Sequence, residues 1–226
     1  MTLDRTRDLP RRFDLIVFDW DGTLYDSTAL IVRSIQSACR DIGAAVPDDG
    51  RAAYVIGLGL RDALEHVVPG LPAERYPVMV ERYRHHYVRH QDDLTLFPGV
   101  LALLHSLRAR NHWLAVATGK SRRGLDEALA SAELRGMFDD TRTADETQSK
   151  PNPQMLLELM RTFGAEPART LMIGDTTHDL QLAANAGTSS VAVTYGAHDP
   201  ASLAAHAPLY TAHSVADLAS WLQDHA

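Results

Sequence analysis

Four short apolar runs, most of them rich in β-branched residues, recur along this chain at wide intervals: Asp14–Asp19, Trp113–Thr118, Thr170–Asp175 and Ser189–Thr194. Runs this short and this uniformly apolar suit strands covered on both faces, as in a parallel sheet. Stretches with helical periodicity, such as Ser121–Ala130 and Met155–Phe163, lie between the second run and the third. The alternation predicts an α/β chain, a Rossmann-like parallel sheet with helices on both faces. A weaker fifth strand is expected near Ala207–Ala212. In open sheets of this kind ligands bind beyond the carboxyl ends of the strands, so the polar residues that close the runs should converge.

One interval breaks the alternation. From Asp26 to about Leu96 there is no strand signal, only amphipathic patterns at Leu30–Ile42, Leu60–Val68 and Ala73–Gln91. An interval of roughly seventy residues far exceeds an ordinary βα connection. It reads as an inserted all-helical domain, residues 27–96, within a core made of residues 1–26 and 97–226. Pro98, in Leu96-Phe97-Pro98-Gly99-Val100, marks the return to the core and the start of its next helix.

Composition removes several function classes. With 22 basic and 29 acidic residues the chain carries a net charge of −7, unsuited to coating nucleic acid. The single Cys39 excludes an intramolecular disulfide framework and any multi-cysteine zinc site. No apolar run is long enough to span a bilayer, and the leader MTLDRTRDLPRRFD lacks the apolar segment of a signal peptide. The expectation is a cytoplasmic protein, monomer or homodimer, with no nucleic-acid or membrane partner.

The strand ends carry the chemistry. The first delivers Asp19-Trp20-Asp21-Gly22-Thr23-Leu24, where carboxylates two residues apart can face one pocket and divide labour. The second ends in Thr118-Gly119-Lys120, a hydroxyl and free amides at a helix start, suited to an anion. Lys150-Pro151-Asn152-Pro153 fixes a lysine ahead of a helix, where an ammonium can offset phosphate charge. Gly174-Asp175-Thr176-Thr177-His178-Asp179 places carboxylates four residues apart, a pattern suited to Mg²⁺. Each corner has a plainer reading of its own: an Asp-Gly turn, a helix cap, a solvated lysine.

Together, and in this order, the four motifs resemble those of the haloacid dehalogenase (HAD) superfamily in its phosphatase branch. The insertion after the first motif resembles the helical cap of the phosphoglycolate phosphatase-like and β-phosphoglucomutase-like group. The resemblance implies Asp19 as nucleophile, giving a phosphoaspartyl intermediate, and Asp21 as the acid and then the base. It implies Mg²⁺ held by Asp19, the Asp21 carbonyl and Asp175, with Asp179 acting through water or from behind. Thr118, Gly119 and Lys150 would hold the phosphate and offset its charge. The presence of Asp21 argues against a dehalogenase.

The implied activity is Mg²⁺-dependent hydrolysis of a small phosphorylated metabolite, a phosphomonoester of the phosphoglycolate kind. A phosphosugar mutase of the β-phosphoglucomutase type is the alternative, and a non-catalytic phospho-ligand-binding protein a further one. In the cap, Gly57-Leu58-Gly59-Leu60-Arg61-Asp62 is the candidate for contact with the leaving group, Arg61 for an anionic one. As a surface helix arginine Arg61 would have no such role. His85, His86 and His90 read as a solvated helix face, Cys39 as a packed helix position, and Trp113 and the methionines as core. Of Lys120, Arg122 and Arg123, one is placed to screen the pocket while the rest are solvated.

Overall fold

The computed structural model describes residues 11–130 and 133–226. The first ten residues, most of the leader to which the signal-peptide expectation applies, lie outside that range. Six strands pair in parallel: β1 (Leu15–Phe18), β2 (Trp113–Thr118), β3 (Asp140–Thr143), β4 (Thr170–Gly174), β5 (Ser189–Val193) and β6 (Tyr210–Ala212). Their order is β3-β2-β1-β4-β5-β6. The chain runs outward from β1 through β2 to β3, then returns to β1's other edge for β4. That reversal opens a crevice at the carboxyl ends of β1 and β4. Phe18 is level with both Val116 and Ile173, so Asp19, Thr118 and Asp175 leave the sheet at nearly one height.

The inserted segment folds into α1 (Thr28–Asp41), α2 (Asp49–Tyr54), α3 (Leu60–Val67) and α4 (Tyr76–Val88). Helix α1 buries Leu30, Ile31, Ser34, Ile35, Ala38 and Cys39, a stripe at three- and four-residue spacing. Against it pack Ala52, Leu64, Val67 and Met79, an apolar cluster distinct from those of the sheet. The segment's two ends meet. Tyr25 bridges to Leu96, the Asp26 amide donates to the Thr95 carbonyl at 2.9 Å, and the Phe97 amide donates to Leu24 at 3.0 Å.

Helices α5 (Val100–Ala109), α6 (Arg122–Leu129), α7 (Gln154–Phe163), α8 (Thr177–Ala186), α9 (Pro200–Ala204) and α10 (Val215–His225) complete the core. The alternation along β1 decides how they are used. Ile16 and Phe18 join Leu103, Leu104, Leu218 and Leu222 of α5 and α10 on one face. Leu15 and Val17 join Met155, Leu159, Leu182 and Ala183 of α7 and α8 on the other. Burying each such side chain contributes about 1.5–3 kcal/mol, which explains why β1 is apolar throughout.

Several expectations need correction. Strand β3, Asp-Thr-Arg-Thr, was not expected because an edge strand can stay polar; Arg142 pairs with Asp140 and Glu158, each at 2.8 Å. Short α2 carries no apolar periodicity and is recognisable only by its cap, Asp48 accepting from the Arg51 amide. The weak strand at Ala207–Ala212 shrinks to β6. Trp113 is 46 % exposed and stacks on Phe163 at 5.1 Å instead of entering the core. Met79, Met137, Met155, Met160 and Met172 are buried as expected. No helix among the described residues is long and apolar enough to cross a membrane.

Candidate active site

The turn after β1 shapes the site. The Trp20 carbonyl accepts the amides of Leu24 and Tyr25, both at 3.0 Å, and reverses the chain immediately. Gly22, at φ +84°, occupies a conformation that side chains disfavour. A Cβ there would also lie 2.2 Å from Asp175 Oδ2. The turn thereby carries the Thr23 hydroxyl onto Asp175 Oδ1 at 2.7 Å, while the Ala197 amide donates to Oδ2 at 2.7 Å.

Behind this turn lies a buried charge cluster. Lys150 Nζ donates to Asp19 Oδ1 and to Asp179 Oδ1, both at 2.6 Å, with its side chain wholly enclosed. The other oxygen of Asp179 closes a capping box on Thr176 at the head of α8. Oxygens of Asp19, Asp175 and Asp179 lie within 4.8 Å of one another, and all three residues are buried. Burial and its acidic neighbours hold Asp19 well above the usual carboxylate range, despite Lys150. Burial and the charge of Asp179 push Asp175 up to about 7. Burial pulls the Lys150 ammonium down, but Asp179 and Asp19 outweigh it and hold the lysine charged.

One atom in this cluster is left over. Asp19 Oδ2 is buried without a hydrogen-bond partner among the described residues, in a residue grouped with two further buried carboxylates. A buried anionic oxygen without a partner is costly. An all-oxygen, carboxylate-rich set fits a hard divalent cation such as Mg²⁺, which would satisfy that oxygen and offset the repulsion.

Asp21 points to a different partner. Its Oδ1 accepts from the Ser27 hydroxyl at 2.6 Å, and Lys120 Nζ reaches Oδ1 and Oδ2 at 3.1 and 3.2 Å. Lys120 also meets the Tyr87 hydroxyl of α4 at 3.0 Å and lies 4.9 Å from that ring's centroid. Tyr83, one turn earlier, stacks on Tyr87 at 5.9 Å. Neither Ser27 nor Tyr87 stood out in the sequence. Thr118 is buried at the end of β2, and its hydroxyl accepts from the Lys120 amide at 3.1 Å. Ser121 caps α6, accepting from the Gly124 amide.

The cap loop rests directly on the core. A Cβ on Gly119 would stand 2.4 Å from the Leu58 carbonyl oxygen and 2.6 Å from that of Gly57. The Gly59 amide donates to Ser149 Oγ at 2.8 Å. The Tyr54 carbonyl accepts from His178 at 2.7 Å and from His198 at 3.0 Å, both core residues. Arg61 is not brought to the carboxylates: its side chain is 78 % exposed and paired with Glu65 on its own helix at 2.8 Å. His85 and His90 are exposed, and half-buried His86 meets Asp41 at 2.8 Å. Arg122 and Arg123 are taken up by surface ion pairs, leaving Lys120 as the cation of that run at the site.

The arrangement offers a buried carboxylate with one free oxygen, a second carboxylate poised between a hydroxyl and an ammonium, and a place for a cation. Such a set suits phosphoryl transfer, which depends mainly on positioning and charge stabilisation. The comparisons agree. The family description for haloacid dehalogenase-like hydrolases matches residues 16–193. The chain is 37% identical over 200 residues to the probable phosphatase IndB of Dickeya dadantii, covering 86% of each chain. It is 30% identical over 203 residues to a phosphoglycolate phosphatase of Synechococcus elongatus, covering 90% of this chain and 94% of that one. A crystal structure described as a predicted phosphoglycolate phosphatase from Haemophilus somnus superimposes with a TM-score of 0.82 at 26% identity, covering 92% and 97%. The chain belongs to the haloacid dehalogenase-like hydrolases, and it is a phosphatase enzyme of that family.

Proposed function

We propose that this phosphatase is Mg²⁺-dependent and hydrolyses a small phosphomonoester of the phosphoglycolate kind in the cytoplasm, through a phosphoaspartyl intermediate on Asp19. The observation that carries the reading is the division within Asp19: Oδ1 is bound by Lys150, and Oδ2 is buried with no partner among the described residues. The cation would be held by Asp19, Asp175 and the Asp21 carbonyl, with Asp179 behind them, and would supply positive charge to the phosphoryl oxygens. Lys150 fixes the carboxylate of Asp19 and offsets its charge. Asp19 attacks phosphorus as the ester P–O bond breaks, and Asp21 gives a proton to the departing oxygen. Water then attacks the phosphorus of the acyl phosphate, Asp21 takes a proton from it, and inorganic phosphate and free Asp19 result. Thr118 and the Gly119 amide would hold non-bridging phosphate oxygens.

The domains are residues 27–96 as cap and 1–26 with 97–226 as core, a division supported by the neck at Tyr25 and Leu96. The cap residues around Asp21 favour hydrolysis over a mutase. Tyr83 and Tyr87 are neutral, with hydroxyls that burial holds above the usual phenol range, and they offer little to a second phosphate.

The test is phosphate release from a panel of phosphomonoesters with and without Mg²⁺, for the wild type and for Asp19→Asn. We expect Mg²⁺-dependent turnover, a hydroxylamine-trappable acyl phosphate on rapid quench, and loss of both in the variant. Full activity of Asp19→Asn would remove the nucleophile from the scheme.

A further inference from the structure

Asp21 is linked to helix α4 of the cap through an ammonium. Lys120 stands on the core, in the turn between β2 and α6, yet its Nζ is enclosed on the cap side by Tyr87 and on the core side by Asp21. Only 12 % of its side chain is exposed. Its N–H donors face two carboxylate oxygens and one tyrosine hydroxyl, with the Tyr87 ring lying against it. An ammonium so enclosed cannot exchange its partners for water while α4 stays in place. Were α4 to withdraw, the same lysine would be hydrated, and an exposed ion pair holds its partner only weakly.

We propose that Lys120 is a positioning residue for Asp21, and that Tyr87 makes this positioning depend on α4 being seated. The acid–base carboxylate is then held in a fixed direction only when the cap covers the site. Ser27, the first residue of the cap and part of its neck, fixes one oxygen of Asp21 through its own hydroxyl, independently of α4. Lys120 spans both oxygens, and so sets the direction in which the carboxyl group faces the leaving atom. The coupling is reciprocal by thermodynamic necessity: whatever seats α4 through Lys120 is also felt by α4 when Asp21 is changed.

Two measurements test this, and only the second rests on the phosphatase reading. The first is hydrogen exchange across Tyr76–Val88 in metal-free protein. Exchange should rise severalfold in Lys120→Met, Tyr87→Phe and Asp21→Asn, and should not change in Asp19→Asn. Unchanged exchange in Asp21→Asn overturns the linkage.

The second is turnover with Mg²⁺ of 2-phosphoglycolate, whose alkoxide must be protonated to leave, and of p-nitrophenyl phosphate, whose phenolate leaves with little help. General-acid assistance is worth about a hundredfold or more. In Lys120→Met, kcat on the alkyl ester should fall about a hundredfold and on the aryl ester less than tenfold, with KM little changed. Tyr87→Phe, which keeps the ring and the packing, should show the same split at smaller size, and Lys120→Arg should recover part of the loss. Equal losses on both esters overturn the positioning role. A raised KM for phosphoglycolate alone overturns it too, because the ammonium would then bind the substrate's carboxylate. A wild type that cleaves neither ester refutes the phosphoglycolate-like phosphomonoester reading, and the exchange result still decides the linkage.

Discussion

Removing the ammonium of Lys150 should expose how strongly the buried carboxylates repel one another. In Lys150→Met the side chain keeps much of its volume, but Asp19 and Asp179 lose a donor 2.6 Å away, where none of the three side chains is more than 1% exposed. Breaking a buried charge pair from one side costs about 3–5 kcal/mol, chiefly because the partner's charge is left uncompensated. In a chain of this size that corresponds to a fall in Tm of roughly 6–20 °C. The assay is urea and thermal unfolding in EDTA, followed by circular dichroism, for the wild type, Lys150→Met, Asp19→Asn and the double variant.

Because the penalty is charge left without a partner, Asp19→Asn should recover part of it. The coupling between the two substitutions should exceed about 1 kcal/mol. Mg²⁺ at a hundredfold excess over its Kd should stabilise folded protein by about 2.7 kcal/mol. It should protect Lys150→Met more than the wild type, since a second cation replaces the first. A Lys150→Met protein within about 0.5 kcal/mol of the wild type in EDTA, additive with Asp19→Asn, would refute the account of the site as a cluster held by one lysine.

Other perturbations follow from the same geometry. Gly119→Ala sets a methyl group against backbone oxygens of the cap loop, 2.4 Å away at Leu58, so seating the cap should cost about 1–3 kcal/mol and kcat/KM should fall tenfold or more. Wild-type kinetics in that variant would mean that this contact is not part of the working enzyme. His112 lies far from the carboxylates, with Nδ1 donating to the Phe13 carbonyl at 2.8 Å; burial and neighbouring Arg110 and Arg11 hold it down to about 4, against the pull of Asp14. Its folded value lies below the unfolded 6.5, so the unfolded chain takes up the proton first, and stability falls as pH drops from 6.5 to about 4, by about 3 kcal/mol. In His112→Gln the slope of unfolding free energy across that window should flatten, and an unchanged slope would mean that the histidine titrates freely.

The sheet's central strands were legible because burial on both faces demands unbroken apolar runs, which β1, β2 and β4 supply. Strand β3 was not, because its Asp-Thr-Arg-Thr is satisfied by hydrogen bonds and ion pairs at the sheet edge, and such a stretch looks like a loop. Asp19, Asp21, Lys150 and Asp175 were readable because each stands at a strand end or a rigid helix entry, where position follows from local sequence. Lys120 was harder. In Lys120-Ser121-Arg122-Arg123 every cation has the same local surroundings, and only tertiary contact with Tyr87 separates the buried one from the arginines paired at the surface. Tyr83 and Tyr87 carried a faint signal, two phenols one turn apart on a helix otherwise studded with charge. Arg61 was readable both as a leaving-group contact and as a surface helix arginine, and its exposed side chain, paired with Glu65 one turn along the same helix, fits the second.

The position of β1 has a consequence for how the molecule is made. This strand leaves the ribosome before the other strands of the sheet, and its neighbours begin only at Trp113 and Thr170. Until those segments are synthesised, Leu15–Phe18 has no strand to pair with and both of its apolar faces are uncovered. The helices that follow it contact one another, α1 with α4 and α1 with α2 above all, at sequence separations shorter than those of β1 from β2 and β4. Local contacts form quickly and distant pairings slowly. The cap is therefore expected to fold during synthesis while β1 waits beside it, and that interval is when a nascent chain of this kind is most exposed to misassembly.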